Sequence, residues 1–345
     1  MKLIINTVGT SLLGNAKRLN LESDLEILEF LHRDPRAASA ETNALDRLLE
    51  VNDRAVLLYS QTAEGKRCAE LIQAHVNKTH RCDIEEVQGL SYAEKGFVQH
   101  GLKNFVQALA KHIRDAKRAQ LTPFINATGG FKAEIAYATA VGLVFKTPVC
   151  YIHEKFGDIV TLPVTPFGWD SSIFALHQDF FDWLDKDCVS RPTQDVQSRV
   201  AALPEEVKML LENGSDGTTM LSPLGEAYLS AFRLERESST VEIFLSKKAR
   251  RDWDGFDTNT RGAYANVLDA LRLPNRYSRS ELKSGGGDAL GYPKGHTNER
   301  IFFAEENETL YIFEFTKHGR DYDQFCSNGL RWLEYTRGDF TRLEI

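Results

Sequence analysis

Two groups of residues in this chain have types and spacings suited to chemistry. The first lies in two places, Asn6-Thr7-Val8-Gly9-Thr10-Ser11 and Asn126-Ala127-Thr128-Gly129-Gly130-Phe131-Lys132. Each follows an apolar, strand-like run and precedes a helix or loop. A glycine-bearing turn that opens a helix presents backbone N–H groups and the positive end of the helix dipole. Thr128, Gly129 and Gly130 fit that geometry, Lys132 adds a full positive charge, and Thr10 and Ser11 add hydroxyls. The set suits a phosphodiester ligand. A Gly-Gly turn alone also serves plain close packing. Two such turns at two strand ends favour a ligand site. Neither is a Walker A loop or a GxGxxG fingerprint.

The second group is cationic: Arg272, Arg276, Arg279, Lys283, Lys294, His296, Arg300, Lys317, His318 and Arg320, followed by the aromatics Tyr322 and Phe325. The same stretch has no DxD, HxH or ExK cluster of the kind a two-metal nuclease uses. A ribonuclease can instead use the RNA's own 2′-hydroxyl as nucleophile. It then needs a base at that hydroxyl, an acid at the departing 5′-oxygen and fixed cations on the phosphate. Lys, Arg and His fill all three roles, and an aromatic stacks on a base. Taken singly, Arg300 reads equally as a surface residue and His318 as a solvated loop histidine. Lys247, Lys248, Arg250 and Arg251 read as the exposed face of a helix that could touch RNA backbone.

The elements that must hold these groups follow from periodicity. Apolar runs at 2–8, 55–60, 82–87, 121–126 and 148–153 read as strands. Residues 63–77, 92–117 and 131–144 read as helices, and Gly157-Asp158 as a hairpin into 159–162. Alternating strands and helices imply a mostly parallel sheet, with ligands at strand ends facing helix N-termini. Residues 171–187 read as one helix and 191–194 as a linker. Residues 203–233 form a small helical, winged-helix-like segment, more acidic than basic and so a structural connector rather than a DNA reader. After it come a strand at 240–245, a helix capped by Ser246, a helix at 259–270, a polar glycine-rich stretch at 279–297, and strands at 300–305 and 309–316.

Composition bounds the rest. The chain has 345 residues, 42% hydrophobic and 26% charged, with a formal net charge of -7. That length suggests two or three domains, and the charge argues against nonspecific DNA affinity. The longest apolar run, 136–145, falls short of the ~18–20 residues of a membrane helix. With no secretory segment visible, a cytoplasmic protein without membrane partners is the expectation. Cys68, Cys82, Cys150, Cys188 and Cys326 are scattered without a CxxC pair, so reduced, mostly buried thiols are expected and no zinc site.

The segment NATGGFKAEIAYATAVGLVFKTPVCYIHEKFGDIVTLP, with the N-terminal LIINTVGTSLL, resembles a CARF domain of CRISPR-associated ancillary proteins. The resemblance covers residues 1–165. It implies a two-fold symmetric pocket in a homodimer that binds a cyclic oligoadenylate, most often the four-nucleotide ring. Carried over position by position, Thr10, Ser11, Asn126, Thr128, Gly129, Gly130 and Lys132 are the implied ligand contacts.

The order TVEIFLSKKARRDWDGFD, basic linker, RIFFAEENETLYIFEF and KHGRDYDQF looks like the RelE toxin family, which cleaves messenger RNA in the ribosomal A site. Arg300, Lys317, His318, Arg320 and Tyr322 match the implied catalytic positions. Lys283 and Lys294 match loosely, because Ser284-Gly285-Gly286-Gly287 breaks the register. The expected architecture is α/β and multidomain: a Rossmann-like CARF domain with a parallel-rich sheet at 1–168, a winged-helix-like connector at 169–238, and an α+β RelE-like domain at 239–345. The expected function is a type III CRISPR ancillary effector, a homodimer in which cyclic tetra-adenylate activates a metal-independent, ribosome-dependent mRNA endoribonuclease. No cofactor other than that allosteric ligand is expected. Two alternatives are a CARF ring nuclease with a non-catalytic C-terminal domain and a ligand-controlled transcription regulator.

Overall fold

A computed structural model describes residues 1–91, 100–152, 158–164, 169–186, 190–282, 287–295 and 297–344. It divides into two compact units. One holds residues 1–167 with 221–231, the other 168–220 with 232–345. The segment expected as a separate connector is thus shared between them.

The first unit is built on a six-stranded sheet in the order Arg81–Val87, Arg54–Ser60, Lys2–Val8, Thr122–Asn126, Val149–Ile152, Ile159–Leu162. The first five strands are parallel, and the last pairs antiparallel with the fifth. The two central strands carry unbroken apolar runs because both faces are covered: Ile4, Ile5, Leu57 and Leu58 are all buried. Helices seal the faces. Leu102–Arg118 buries Leu102, Phe105, Val106, Leu109 and Ile113, spaced three or four apart along one stripe. Ala63–Val76 is capped by Thr62, whose hydroxyl accepts the Gly65 N–H at 3.0 Å. The hairpin expected at 157–158 is borne out by its flanking strands, while its turn, and residues 92–99 of the expected long helix, lie outside the described residues.

In this sheet, Lys2–Val8 lies between Arg54–Ser60 and Thr122–Asn126. The chain runs outward in one direction from the first strand, then returns to build on its other side. That makes the Lys2–Val8 and Thr122–Asn126 pair the topological switch point, where open α/β sheets hold their ligands.

The second unit carries its own six-stranded sheet, ordered Glu281–Leu282, Leu290–Tyr292, Glu299–Glu306, Thr309–Lys317, Glu242–Leu245, Thr341–Leu343. Glu242–Leu245 runs parallel to Thr309–Lys317, and the Glu299–Glu306 and Thr309–Lys317 strands form an antiparallel hairpin. Ser246 caps the next helix as expected, accepting the Ala249 N–H at 3.0 Å. The polar stretch at 279–297 contains two short strands that its composition hides. The single helix expected at 171–187 is two, Ser172–Leu176 and Gln178–Asp185, broken at His177; no residue type there marks the break. A small sheet of Arg191–Pro192, Thr218–Leu221 and Leu211–Asn213 stands where only a loop was expected at 213–217. Among the described residues no helix is long and apolar enough to cross a membrane.

Candidate functional sites

The strand register pairs Asn6 with Asn126, so both strand-end turns leave the sheet side by side. They touch: a side chain placed on Gly9 would come 2.8 Å from the Gly130 nitrogen. Asn6, Thr7 and Asn126 knit the two strands together. The Asn126 amide donates to the Asn6 side-chain oxygen, and the Thr7 hydroxyl donates to the Gly129 carbonyl. Gly130 sits at φ +92, a conformation that favours glycine. The helix Lys132–Val144 starts directly after the turn.

The seven expected ligand contacts separate by accessibility. Thr10 and Lys132 are exposed, and Ser11 and Gly130 are half-buried. Asn126 and Gly129 are interior. The Thr128 hydroxyl is engaged, donating to Asn126 Oδ1 at 2.5 Å and accepting the Ile152 N–H at 3.0 Å. Asn126 and Thr128 therefore shape the turn, and Thr10, Gly130 and Lys132 form its outer face. Among the described residues, the Gly129 and Gly130 N–H groups meet no acceptor, and Lys132 has no ion-pair partner. The Gly130 N–H and the Lys132 ammonium are what an anion would find at this helix start.

Two carboxylates beneath this face escaped the sequence reading. Glu41, fully buried on the helix Ala40–Leu48, accepts the Gly9 N–H and the Ser11 hydroxyl, each at 2.8 Å. Glu134, 2% exposed, folds back over the turn: a side chain on Gly130 would meet its Oε2. Burial pushes its carboxyl up to about 7, although the Phe131 N–H it accepts favours the charged form. The chain thus places its own acids inside the turns and leaves Lys132 and Thr10 outside. Glu134 had a local signal, an acid in the first turn of a helix. Glu41 had none, lying 30 residues from Ser11.

The second group gathers around Tyr322. Arg300 holds its guanidinium 5.8 Å over the Tyr322 ring, and the His318 ring stacks on the same ring at 5.5 Å. Arg300 is 6% exposed, and its Nη1 donates to the carbonyls of Thr297 and Glu299. The register sets Arg300 opposite Thr316 and Glu299 opposite Lys317. Lys317, His318 and Arg320 are exposed beside this centre. Arg320 opens the helix Arg320–Asn328 after Gly319, an end where the dipole repels a cation.

Other cations of the expected basic stretch are drawn elsewhere. Arg276 clamps Glu305 with two hydrogen bonds of 2.8 Å. Arg279 pairs with Asp170, and Arg272 donates to the Val241 carbonyl. Lys294 lies 3.9 Å from Glu281 and lines a cleft of about 610 Å³ with Trp169, Asp170, Asn275, Ser278 and Arg279. Lys283 and His296 lie outside the described residues. The candidate centre therefore rests on Arg300, Lys317, His318, Arg320 and Tyr322. Among the described residues, no group of three or more His, Cys, Asp or Glu side chains is placed to hold a metal ion.

Residues 36–165 match the model of a protein family described as CRISPR-associated protein (Cas_APE2256). The matched stretch includes Glu41, Glu134 and the Asn126–Lys132 turn. No curated protein matches the chain. Among solved structures, Can2 from Sulfobacillus thermosulfidooxidans, determined in complex with cyclic tetra-adenylate, is similar at 11% identity and a TM-score of 0.27, covering 94% of this chain and 84% of that one. Protein VC1899 from Vibrio cholerae is similar at 10% identity and a TM-score of 0.25, covering 92% of this chain and 75% of that one. Similarities of that depth carry no inference about activity.

Proposed function

We propose that the first unit is a CARF-type sensor of a cyclic oligoadenylate, most simply cyclic tetra-adenylate, and that the second is a RelE-like nuclease it activates. One observation carries the sensor reading. The Asn6–Asn126 register brings two turns into contact at the switch point of a parallel sheet, with Lys132 and Thr10 facing out. Phosphodiesters are the ligand class for a helix start with a cation beside it. The match of residues 36–165 to a CRISPR-associated family supports the same reading. A ring ligand with repeated phosphates calls for two copies of the site, hence a homodimer. Exposed Leu143, Tyr151, Val160 and Leu162 supply apolar surface for it.

In the second unit, RNA would be cut by its own 2′-hydroxyl. The 2′-oxygen attacks phosphorus, the P–O5′ bond breaks, and a 2′,3′-cyclic phosphate forms. The 2′-proton passes to a base and the 5′-oxygen takes a proton from an acid. Lys317, His318 and Arg320 stand where they can exchange protons and hold charge. Arg300 stabilises the crowded phosphorane, and exposed His318, backed by the buried Tyr322 ring, offers a stacking surface. Ligand binding activates this centre only by preferring one state of the dimer over the other.

Calorimetric titration with cyclic tetra-adenylate, cyclic hexa-adenylate and linear tetra-adenylate tests the sensor. The ring should bind one per dimer, and Lys132→Ala should abolish binding at unchanged melting temperature. Toeprinting of translating ribosomes, with and without the ring, tests the effector. Message cut in the A site only when ring is present supports the reading. Ring binding without any cut would leave a ring nuclease or an inert partner domain in its place.

A further inference from the structure

The helix Lys247–Gly255 sends its basic residues to different destinations. Lys247 meets Asp339 at 2.6 Å, and Arg250 donates to Thr341 Oγ1 at 3.0 Å and to the Arg342 carbonyl at 2.6 Å. Lys248 reaches Glu314 on the sheet. This last pair is unlike the others. Asp339 has a 36% exposed side chain, whereas Glu314 is 4% exposed in the middle of the strand Thr309–Lys317. Its other oxygen accepts the Tyr335 hydroxyl at 3.2 Å. Burying a carboxylate mid-strand carries a desolvation cost that its ion pair seldom recovers, and an apolar pair would clasp helix to sheet at least as well. Burial raises the Glu314 carboxyl above its ordinary range in spite of Lys248. Stability alone does not call for a charge there.

Its position supplies a reason. The register pairs Arg300 with Thr316 and Phe302 with Glu314, so Arg300 and Glu314 project from the same face of the sheet. Aromatic rings join them. Tyr322 lies under Arg300 and against His318, Phe302 is 5.7 Å from Tyr322, and Phe325 is 5.5 Å from Phe302. The Lys248 ammonium stands 5.4 Å over Phe325. Phe302, 1% exposed, and Tyr322, 8% exposed, are the packed middle of this row; half-buried Phe325 and exposed His318 are the rings a base can reach, and the row ends at a second cation whose side chain is 49% exposed. Cations alternating with stacking surfaces are how proteins hold single-stranded nucleic acid, phosphate on the charge and base on the ring.

We propose that Lys248, fixed by Glu314 and Tyr335, is a second phosphate contact on this face and positions a single RNA strand across the Arg300 centre. Glu314 and Tyr335 act through Lys248: they hold a flexible ammonium in one place before RNA arrives, which lowers the entropy lost on binding. The inference rests on the nuclease reading for its purpose but not for its test.

The test is fluorescence anisotropy of a short fluorescein-labelled single-stranded RNA with the full-length protein over a range of salt. Lys248→Met should weaken binding about fivefold or more and lower the slope of log K against log salt by about 0.7, one phosphate contact. Because Lys248→Met strands a buried carboxylate, the double variant K248M/E314Q removes the pair together and should show the same loss. Lys247→Met, one residue away with the same formal charge, should keep most of the affinity. The proposal is overturned if the double variant binds like the parent but melts lower, which makes the pair a clasp only. It is equally overturned if Lys247→Met loses as much as Lys248→Met, or if the parent binds no RNA. RNA bound normally by the parent but never cut on ribosomes would sink the nuclease reading and leave the Lys248 contact standing.

Discussion

Glu41 and Ser11 are joined by a 2.8 Å hydrogen bond in which the Ser11 hydroxyl donates to a fully buried carboxylate. The other Glu41 oxygen takes the Gly9 N–H at 2.8 Å. One acid therefore sets the shape of the first turn. Glu41→Ala orphans the Gly9 N–H and should cost about 1–3 kcal/mol. It should also weaken ring binding, since Ser11 loses its orientation. Glu41→Gln keeps an acceptor for the N–H and should lose less of both. Thermal melts and calorimetric titration of the two variants check this. Equal loss for both would show that the charge, not the hydrogen bond, matters.

Gly129 faces the same carboxylate. A side chain there would run into Glu41 Oε1 and come within 2.7 Å of the Thr7 carbonyl. Gly129→Ala should lower the melting temperature and abolish ring binding together, whereas Lys132→Ala should abolish binding alone.

Glu134 gives the first unit a pH dependence. Its folded carboxyl titrates at about 7, above the ordinary 4.5. A raised value means that the stability it contributes is full below 4.5 and is lost as pH climbs through 7, amounting to at most about 3 kcal/mol. The parent should therefore melt progressively lower from pH 5 to pH 8. Glu134→Gln should flatten that trend and be the more stable form at pH 8. An anionic ligand beside Gly130 should bind more tightly at pH 6 than at pH 8, a difference absent from Glu134→Gln. Melting curves and titrations at those pH values decide it.

Cysteine labelling reads the fold directly. Burial pushes the thiols of Cys68, Cys82 and Cys150 up to about 12. At pH 8 iodoacetamide should leave these three unmodified in the native protein and label half-buried Cys326. Peptide mass mapping after a brief pulse would show it. Rapid labelling at Cys150 would contradict the packing of the Val149–Ile152 strand.

On the nuclease reading, Arg300 has both a structural and a chemical role. Its Nη1 serves the Thr297 and Glu299 carbonyls, leaving other N–H groups of the fork for a phosphate. Arg300→Lys keeps the charge but loses the fork, and ribosomal message cleavage should fall at least about 100-fold. Ring binding should not change. Parent-like cleavage by this variant would remove Arg300 from the chemistry.

The sheet of the first unit could be read from sequence because parallel strands buried on both faces announce themselves as apolar runs, as at Ile4, Ile5 and 55–60. The glycine turn was legible because few residues accept the conformation of Gly130. The partners of these residues were not. Glu41 and Ser11, Arg276 and Glu305, and Lys248 and Glu314 stand 30, 29 and 66 residues apart. Side-chain pairs of that separation leave no periodicity in a sequence. For the same reason Arg276 and Arg279 read as parts of a basic surface, although each is held by an internal acid. Lys317 and Arg320, with no ion pair among the described residues, kept the exposure their composition suggests.

The contact between Gly9 and Gly130 makes two loops into one mechanical part. Neither loop has room to shift without pushing its neighbour, because backbone meets backbone with no side chain between to absorb the motion. A molecule seated on either turn would therefore bear on the starts of two helices, Ser11–Arg18 and Lys132–Val144. A push at that seam would be shared by two rods rather than one.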